Sequence, residues 1–289
     1  MVRSLTAADT LEARNLLSAR PLHNLFLDHV VAAGVLGRVP GFYGWVPRGR
    51  LEAILMIGPL GGTALEAREA GAFAPLAAAA ARSDLRPRHI VGSEDVTEPF
   101  WREYEQFATR LRWMRREPVL VTSTAKLCAP RSTEKPARIE PARFSDVDEL
   151  TENSAEQHRE DLRDDREAAD RGGFRARHAI DVRDGRWWVA RERGRIAFQV
   201  HVGAASAQAV QLGGVFVPHD VRGRGFATAG MRAICTRLLE RYERVTLYCD
   251  EANEGARRVY ERVGFAIAFC NRSYLLDEPL VREERRGYG

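Results

Sequence analysis

Lysine is nearly missing from this chain. Lys126 and Lys135 are the only two, and arginine supplies the rest of a positive charge that exceeds the negative by a formal +4. A nucleoside-triphosphate loop needs Gly, four residues, Gly, Lys and Ser or Thr, with the lysine reaching the terminal phosphates. Neither lysine follows such a loop, so that class is excluded. The acidic residues interleave with the arginines and form no block. That pattern reads as a solvated surface, and the lack of a recognition motif or aromatic-basic platform argues against a nucleic-acid partner. Cysteine is scarce as well: Cys128, Cys235, Cys249 and Cys270 include no pair at metal-ligand or redox spacing, so no metal is expected and the thiols read as reduced. No apolar run approaches the roughly 20 residues that cross a bilayer. The opening MVRSLTAADTLEARNLL lacks the uninterrupted apolar core of a signal peptide. The expectation is a soluble, cytoplasmic protein with no membrane partner.

What is present is enough apolar material for two modest cores, 45% of 289 residues. The best seam is APRSTEKP, Ala129 to Pro136, a polar stretch bracketed by prolines that interrupts every periodicity. It divides the chain into an N-terminal domain over 1–130 and a C-terminal domain over 137–289. After the seam, Ala137 to Arg143 predicts a strand, and Phe144-Ser145-Asp146 starts a helix with Ser145 as cap. A charged helical stretch, EQHREDLRDDREAADRGGFRARH, is expected to break at Gly172–Gly173. Strands are predicted at Trp187 to Arg191, Ile196 to Val202 and Gln208 to Val217. A helix over Thr228 to Arg241, a strand at Val245 to Cys249, a second helix ending at Gly264–Phe265 and a last strand from Ala266 follow. The N-terminal half echoes this order. Helices are predicted at Leu11 to Leu17, Leu25 to Ala33, Gly71 to Ala81 and Pro99 to Leu111, and strands at Gly41 to Trp45, Leu51 to Gly58, His89 to Val91 and Pro118 to Thr122. The fold class is α/β with an α+β mixed sheet.

Chemistry concentrates where the strand Val215-Phe216-Val217 runs into Arg222, Gly223, Arg224, Gly225 and Phe226, which open a long helix. Backbone N–H groups at a helix start lack intrahelical acceptors, and the helix dipole favours negative charge there. Gly223 and Gly225 let phosphate oxygens approach the backbone, and the two arginines add positive charge at the rim. A dinucleotide fingerprint fails because Thr228 stands where its third glycine belongs.

Downstream stand Asn253, Ala256 three residues on, Tyr260 seven residues on, and Gly264–Phe265 close behind. The whole block resembles the acetyl-CoA core of the GNAT (Gcn5-related N-acetyltransferase) superfamily. That family's loop reads Gln or Arg, two residues, Gly, one residue, then Gly or Ala, and Arg222, Gly225 and Ala227 fill those places. The resemblance covers about residues 137 to 277. It implies a degenerate second copy of the fold in the first half, a layout similar to tandem or DUF4081-type proteins of high-GC bacteria; an unrelated α/β domain is the alternative there.

The resemblance also implies chemistry. Acetyl-CoA would bind with its diphosphate on the amides from Arg222 to Thr228, including Ala227, and its pantetheine arm along Val215 to Val217. A backbone N–H there would polarise the thioester carbonyl. Tyr260 matches the family's general acid toward the departing sulfur, and Asn253 would brace the pantetheine or cap its helix. The acceptor would be a primary amine of a small molecule, peptide or protein. No base is singled out. Gln208 and Gln211 occupy the strand where many members place a glutamate, and Glu156, His158, His201, His219 and Asp250–Glu251 all stay open. The alternative function is a non-catalytic acyl-CoA-binding regulator.

Overall fold

The structure, a computed structural model, describes residues 1–130, 132, 134, 136–162 and 170–277. Arg131, Thr133 and Lys135 of the proline-bracketed seam, 163–169 of the charged helical stretch and 278–289 lie outside these. The chain divides into two compact units that do not follow a single cut along the sequence. One holds Met1–Arg116 together with the described residues from Asn271 onward; the other is Glu117–Cys270.

In the first unit, β1 (Val2–Ser4), β2 (Phe42–Trp45), β3 (Ala53–Ile57) and β4 (Gly62–Ala67) pair antiparallel in sequence order, and β4 then pairs parallel with β5 (His89–Ser93). The sixth strand is the end of β12 (Ala266–Leu276), whose Asn271 to Leu275 run antiparallel to β5. Helices α1 (Thr10–Leu17) and α2 (Leu25–Ala32) cover one face, and α3 (Phe73–Arg82) and α4 (Glu94–Tyr104) the other. The strand β3 shows why its sequence, AILMI, is apolar throughout. Ala53, Leu55 and Ile57 pack toward α3 and α4, while Ile54 and Met56 pack toward α1 and α2. A strand buried on both faces gains about 1.5–3 kcal/mol from each large side chain and has no reason to alternate.

The second unit repeats the order. β7 (Ile139–Pro141), β8 (Trp187–Glu192), β9 (Arg195–Ala205) and β10 (Ala209–Phe216) pair antiparallel, and β10 pairs parallel with β11 (Arg244–Tyr248). Its sixth strand is the end of β6 (Leu111–Thr122), with Val119 to Thr122 antiparallel to β11. Helices α5 (Val147–Leu162) and α6 (Arg171–Arg183) cover one face; α7 (Phe226–Leu238) and α8 (Glu254–Val263) cover the other. Gln199, fully buried on β9, accepts from Asn153 Nδ2 at 3.0 Å and reaches Ser154 Oγ at 3.2 Å, which pins α5 to the sheet. Across the sheet, Gly230 of α7 lies so close to Phe198 that a Cβ would sit 2.5 Å from its ring. The absence of a side chain at Gly230 lets the helix dock against β9 and fixes where its N-terminus emerges.

Three expectations fail for identifiable reasons. Ser145 is not the cap ahead of α5: it lies inside a 3-10 turn, Phe144–Asp146, whose N-cap is Arg143, and Asp146 accepts from the Arg143 N–H at 2.6 Å. The helix expected over Pro99 to Leu111 begins earlier, at Glu94, because Glu94 and Asp95 suit a helix start, and from Leu111 the chain is already strand β6. The break expected at Gly172–Gly173 is instead the first turn of α6: Asp170 caps that helix by accepting from the Gly173 N–H at 2.9 Å.

Candidate functional site

The site grows from how β10 ends. Its parallel pairing with β11 stops at Gln211 opposite Thr246, yet β10 continues to Phe216 and β11 to Tyr248. Past that point the two strands splay, and β10 has no partner on the β11 side. A bulge between Gly213 and Phe216 re-aims the main chain in the same stretch, with Gly214 at φ 57°. Val215 and Val217 are half-buried and Phe216 is buried. The Val215 carbonyl accepts from Gln157 Nε2 at 3.3 Å, and the same amide donates to Asp161 Oδ2 at 3.3 Å.

Beyond the strand, Arg222 to Gly225 are exposed, and Gly223 and Gly225 sit at φ 74° and 88°. A side chain at either position would meet open space, so the conformation and not crowding requires glycine. Gly225 caps α7 without any side-chain bond. The first intrahelical hydrogen bond runs from Ala229 N–H to Gly225 O at 3.0 Å. Among the described residues, none accepts from the amides of Gly223, Arg224, Gly225, Phe226, Ala227 or Thr228. An unobstructed helix N-terminus with consecutive free amides fits a diphosphate.

Both loop arginines are engaged. Arg222 donates from Nε to Val217 O at 2.9 Å and grips both carboxylate oxygens of Glu160 at 3.1 Å, with its guanidinium 5.2 Å from the Phe216 ring centre. Arg224 pairs with Glu192. His219 Nε2 lies 2.6 Å from Glu160 and 3.3 Å from Glu156. These three could surround a cation, but Arg222 already neutralises Glu160.

The side chains on α8 are fixed by the caps of that helix. Asn253 accepts from Ala256 N–H at 3.0 Å and is the N-cap. Gly264 ends the helix at φ 108°, where a Cβ would collide with the Lys126 carbonyl. Between them Tyr260 is buried against Phe265, ring centres 5.9 Å apart. Burial pushes its phenol well above the usual range, with the neighbouring Cys249 and Asp161 adding to the effect. Burial likewise pushes the Cys249 thiol up to about 12.

The open candidates for a base separate clearly. Glu156 and His219 join the carboxylate cluster at the phosphate end. His201 lies on β9 directly across from Gly213 of the bulge, 3.4 Å from Asp181 on α6. Sequence reasoning missed Asp161, Glu160 and Asp181, which are helix residues in a charge-rich stretch and gain meaning only from what they touch. The pairing signal for Asp181 was absent from the sequence, since its partner lies 20 positions away on another element.

The first unit has the same splay without the loop. β4 and β5 pair only at Gly62–His89 and Thr63–Ile90. The turn after β4 carries Arg68 and Gly71 at the spacing of Arg222 and Gly225, but Gly71 lies inside a short 3-10 segment, Ala70–Ala72, without a positive φ, and Phe73 stands where the other loop has Ala227. Arg20 bridges the diverging ends instead, reaching Glu66 on β4 at 3.4 Å, Ser93 Oγ on β5 at 3.0 Å and Asp95 at 3.0 Å.

Residues 147–265 match the family model of the acetyltransferase (GNAT) family. A GNAT-family acetyltransferase from Colwellia psychrerythraea superimposes with a TM-score of 0.61 at 9% identity, covering 96% of this chain and all of that one. A GCN5-related N-acetyltransferase from Sphaerobacter thermophilus gives 0.62 at 17% identity over 95% of this chain and 94% of that one. A tandem GNAT protein of the clavulanic acid biosynthesis pathway gives 0.60 at 14% over 95% and 97%. At such identities the likeness is one of fold, and no curated protein matches the chain. Residues 147–265 therefore carry the match to the GNAT acetyltransferase family, and the N-terminal part of the chain shares the fold of the tandem GNAT protein.

Proposed function

We propose that the chain transfers an acetyl group from acetyl-CoA to a primary amine of a small molecule, peptide or protein. The observation that carries this reading is the run of six acceptor-free amides, Gly223 to Thr228, placed directly after a strand that has lost its neighbour. The diphosphate takes the amides and the pantetheine takes the open edge of Val215 to Val217. The bulge at Gly213–Gly214 turns a main-chain N–H toward the thioester carbonyl, where preorganised donors stabilise the oxyanion of the tetrahedral intermediate. Tyr260, held as a neutral phenol, donates to the departing sulfur. Transfer is direct. A cysteine thiol pushed up to about 12 supplies almost no thiolate near neutral pH, so Cys249 does not carry the acyl group. The reading goes with a cytoplasmic location. It assigns no nucleic-acid partner, because the loop arginines and many others are taken up by carboxylates.

One observation favours the alternative of a non-catalytic acyl-CoA-binding regulator: β10 carries no carboxylate. Thermal-shift screening with acetyl-CoA, longer acyl-CoAs, NAD and ATP, followed by thiol release over an amine panel, separates the two. Stabilisation by acetyl-CoA with thiol release supports the transferase. Stabilisation without release leaves the regulator, and stabilisation by NAD or ATP alone sinks both.

A further inference from the structure

We infer that His201 is the general base of this site and that Asp181 is its positioning residue, an assignment that rests on the transferase reading. The two side chains come from β9 and α6, and they meet beside the bulge in β10. Gly213 is the register partner of His201, and a Cβ at Gly214 would lie 3.4 Å from the His201 Cβ and 2.6 Å from the Trp187 ring. The His201 Cβ therefore stands against the stretch of main chain that the bulge re-aims, while its imidazole lies over Gly203 of the same strand, with Nδ1 3.7 Å from where a Cβ there would sit.

Its chemistry is suited to the task. His201 Nε2 lies 3.4 Å from Asp181 Oδ2 without the alignment of a hydrogen bond, so the carboxylate acts through its charge, which favours a proton on Nε2 and leaves Nδ1 to accept one. The carboxylate of Asp181 is held below its usual range: burial opposes ionisation, but the His201 contact and the charges of His201, Arg186 and His178 outweigh it. The side chains of His201 and Asp181 are 22% and 27% exposed, which leaves the pair reachable. His178, the competing imidazole on α6, is buried; its Nδ1 donates to the Phe174 carbonyl at 2.9 Å, and its ring stacks on Trp187. Burial holds its pKa below the usual value, with Asp181 opposing and His201 and Arg177 assisting. His158 on α5 packs on Phe174, whose ring also meets His178. The charged and titratable groups around His201 are thus Asp181, His178, Arg177 and Arg186 from α6 and its C-terminal turn, and His158 from α5.

Placement supplies a further argument. Trp187 and Asp181 lie on the face covered by α5 and α6, whereas Tyr260 packs in the core beneath α7 and α8. A base on one face and an acid on the other let a proton leave the amine on its side of the thioester and enter the thiolate on the opposite side. The buried Trp187 Nε1–H, which has no acceptor among the described residues, adds an unmet polar group at the same spot. Such groups concentrate where stability has yielded to function.

The step balances as follows. The lone pair of the neutral amine forms a C–N bond to the thioester carbonyl carbon, whose π electrons move to oxygen. The surplus N–H proton passes to His201 Nδ1. The carbonyl re-forms as the C–S bond breaks, and the thiolate takes the Tyr260 proton. Imidazolium then restores the phenol through solvent, for a net change of amine and acetyl-CoA into amide and free thiol.

The test measures thiol release against pH for the wild type, His201→Gln, Asp181→Asn and Asp181→Glu, with acetyl-CoA affinity by calorimetry. His201→Gln is expected to lower kcat/KM about 100-fold at pH 7. The deficit should persist at high pH, because the base acts on an amine that is already neutral, and acetyl-CoA affinity should stay within twofold. Asp181→Asn should lower kcat about tenfold with KM within twofold, and Asp181→Glu should recover most of that loss. A His201→Gln variant with the wild-type rate across the profile overturns this assignment while leaving the transferase standing. Wild-type protein that binds acetyl-CoA but releases no thiol with any amine overturns both.

Discussion

Gly225 and Tyr260 show how differently single residues constrain this site. Gly225 has empty space around it, so its demand is conformational: at φ 88° an L-residue costs about 1–2 kcal/mol. Gly225→Val adds a branched side chain where the phosphate oxygens must approach the amides. It is expected to remove acetyl-CoA binding by calorimetry while the melting temperature falls by only a few degrees. Tyr260→Phe makes the opposite separation, with turnover reduced about 100-fold and acetyl-CoA affinity nearly intact; an unchanged turnover would mean that the phenol is not the acid. The wild-type rate should also show no descending limb up to pH 10, because a phenol raised by burial keeps its proton throughout that range. Away from the site, Asp9 illustrates the reverse sign. The hydrogen bonds from Arg3 at 2.6 and 2.9 Å hold its carboxyl well below the usual carboxylate range against the cost of burial, and Thr6 assists. A depressed folded value means the stabilisation is complete above the unfolded value, near pH ~4, and fades as pH falls through the folded one. Asp9→Asn should therefore cost about 1–2 kcal/mol in urea unfolding at pH 7, and the gap to wild type should close in acid.

At the scale of elements, Gly264 tests how tightly the end of α8 is specified. Its φ of 108° and the Lys126 carbonyl against its Cβ position leave no room for a methyl group, while Thr122 Oγ1 donates to its carbonyl at 2.9 Å. Gly264→Ala combines strain with a backbone collision and should cost about 2–3 kcal/mol in chemical denaturation, lowering turnover by displacing Tyr260. The same glycine was readable in the sequence because a helix end in the left-handed region has one preferred residue. So were α7, β11 and α8, where a strong 3.6-residue period or a β-branched run coincided with cap or turn residues. The strand β4, GTALEA, was not legible: glycine, alanine and glutamate are poor strand formers, and only antiparallel pairing to β3 and burial of Ala64, Leu65 and Glu66 make it one. Half of β6 was hidden for a related reason, since LRWMRREPVL carries arginines at positions where its neighbours and not its composition set the conformation. The loop amides of the site followed from Gly223 and Gly225. The splay and the His201–Asp181 pair did not, because each depends on where pairing between distant segments stops.

For the whole chain, the open question at the sequence level was whether two GNAT-like units mean two cofactor sites. The strand orders agree, and both units lose the pairing between fourth and fifth strands. In the first unit, though, the diverging strand ends are bridged by the Arg20 guanidinium, and the following turn presents a 3-10 segment in place of glycine-opened amides. Glu66 is buried there, so losing its arginine leaves a carboxylate without a cation at a cost of about 1.5–3 kcal/mol. Acetyl-CoA titrated into the full chain by calorimetry should accordingly bind with a stoichiometry of one. Arg20→Ala should destabilise the protein by that amount without creating a second site, because removing the bridge supplies no phosphate-binding amides. Gly225→Val should then reduce the stoichiometry to zero, and a surviving equivalent of binding in that variant would show that the first unit holds a cofactor after all.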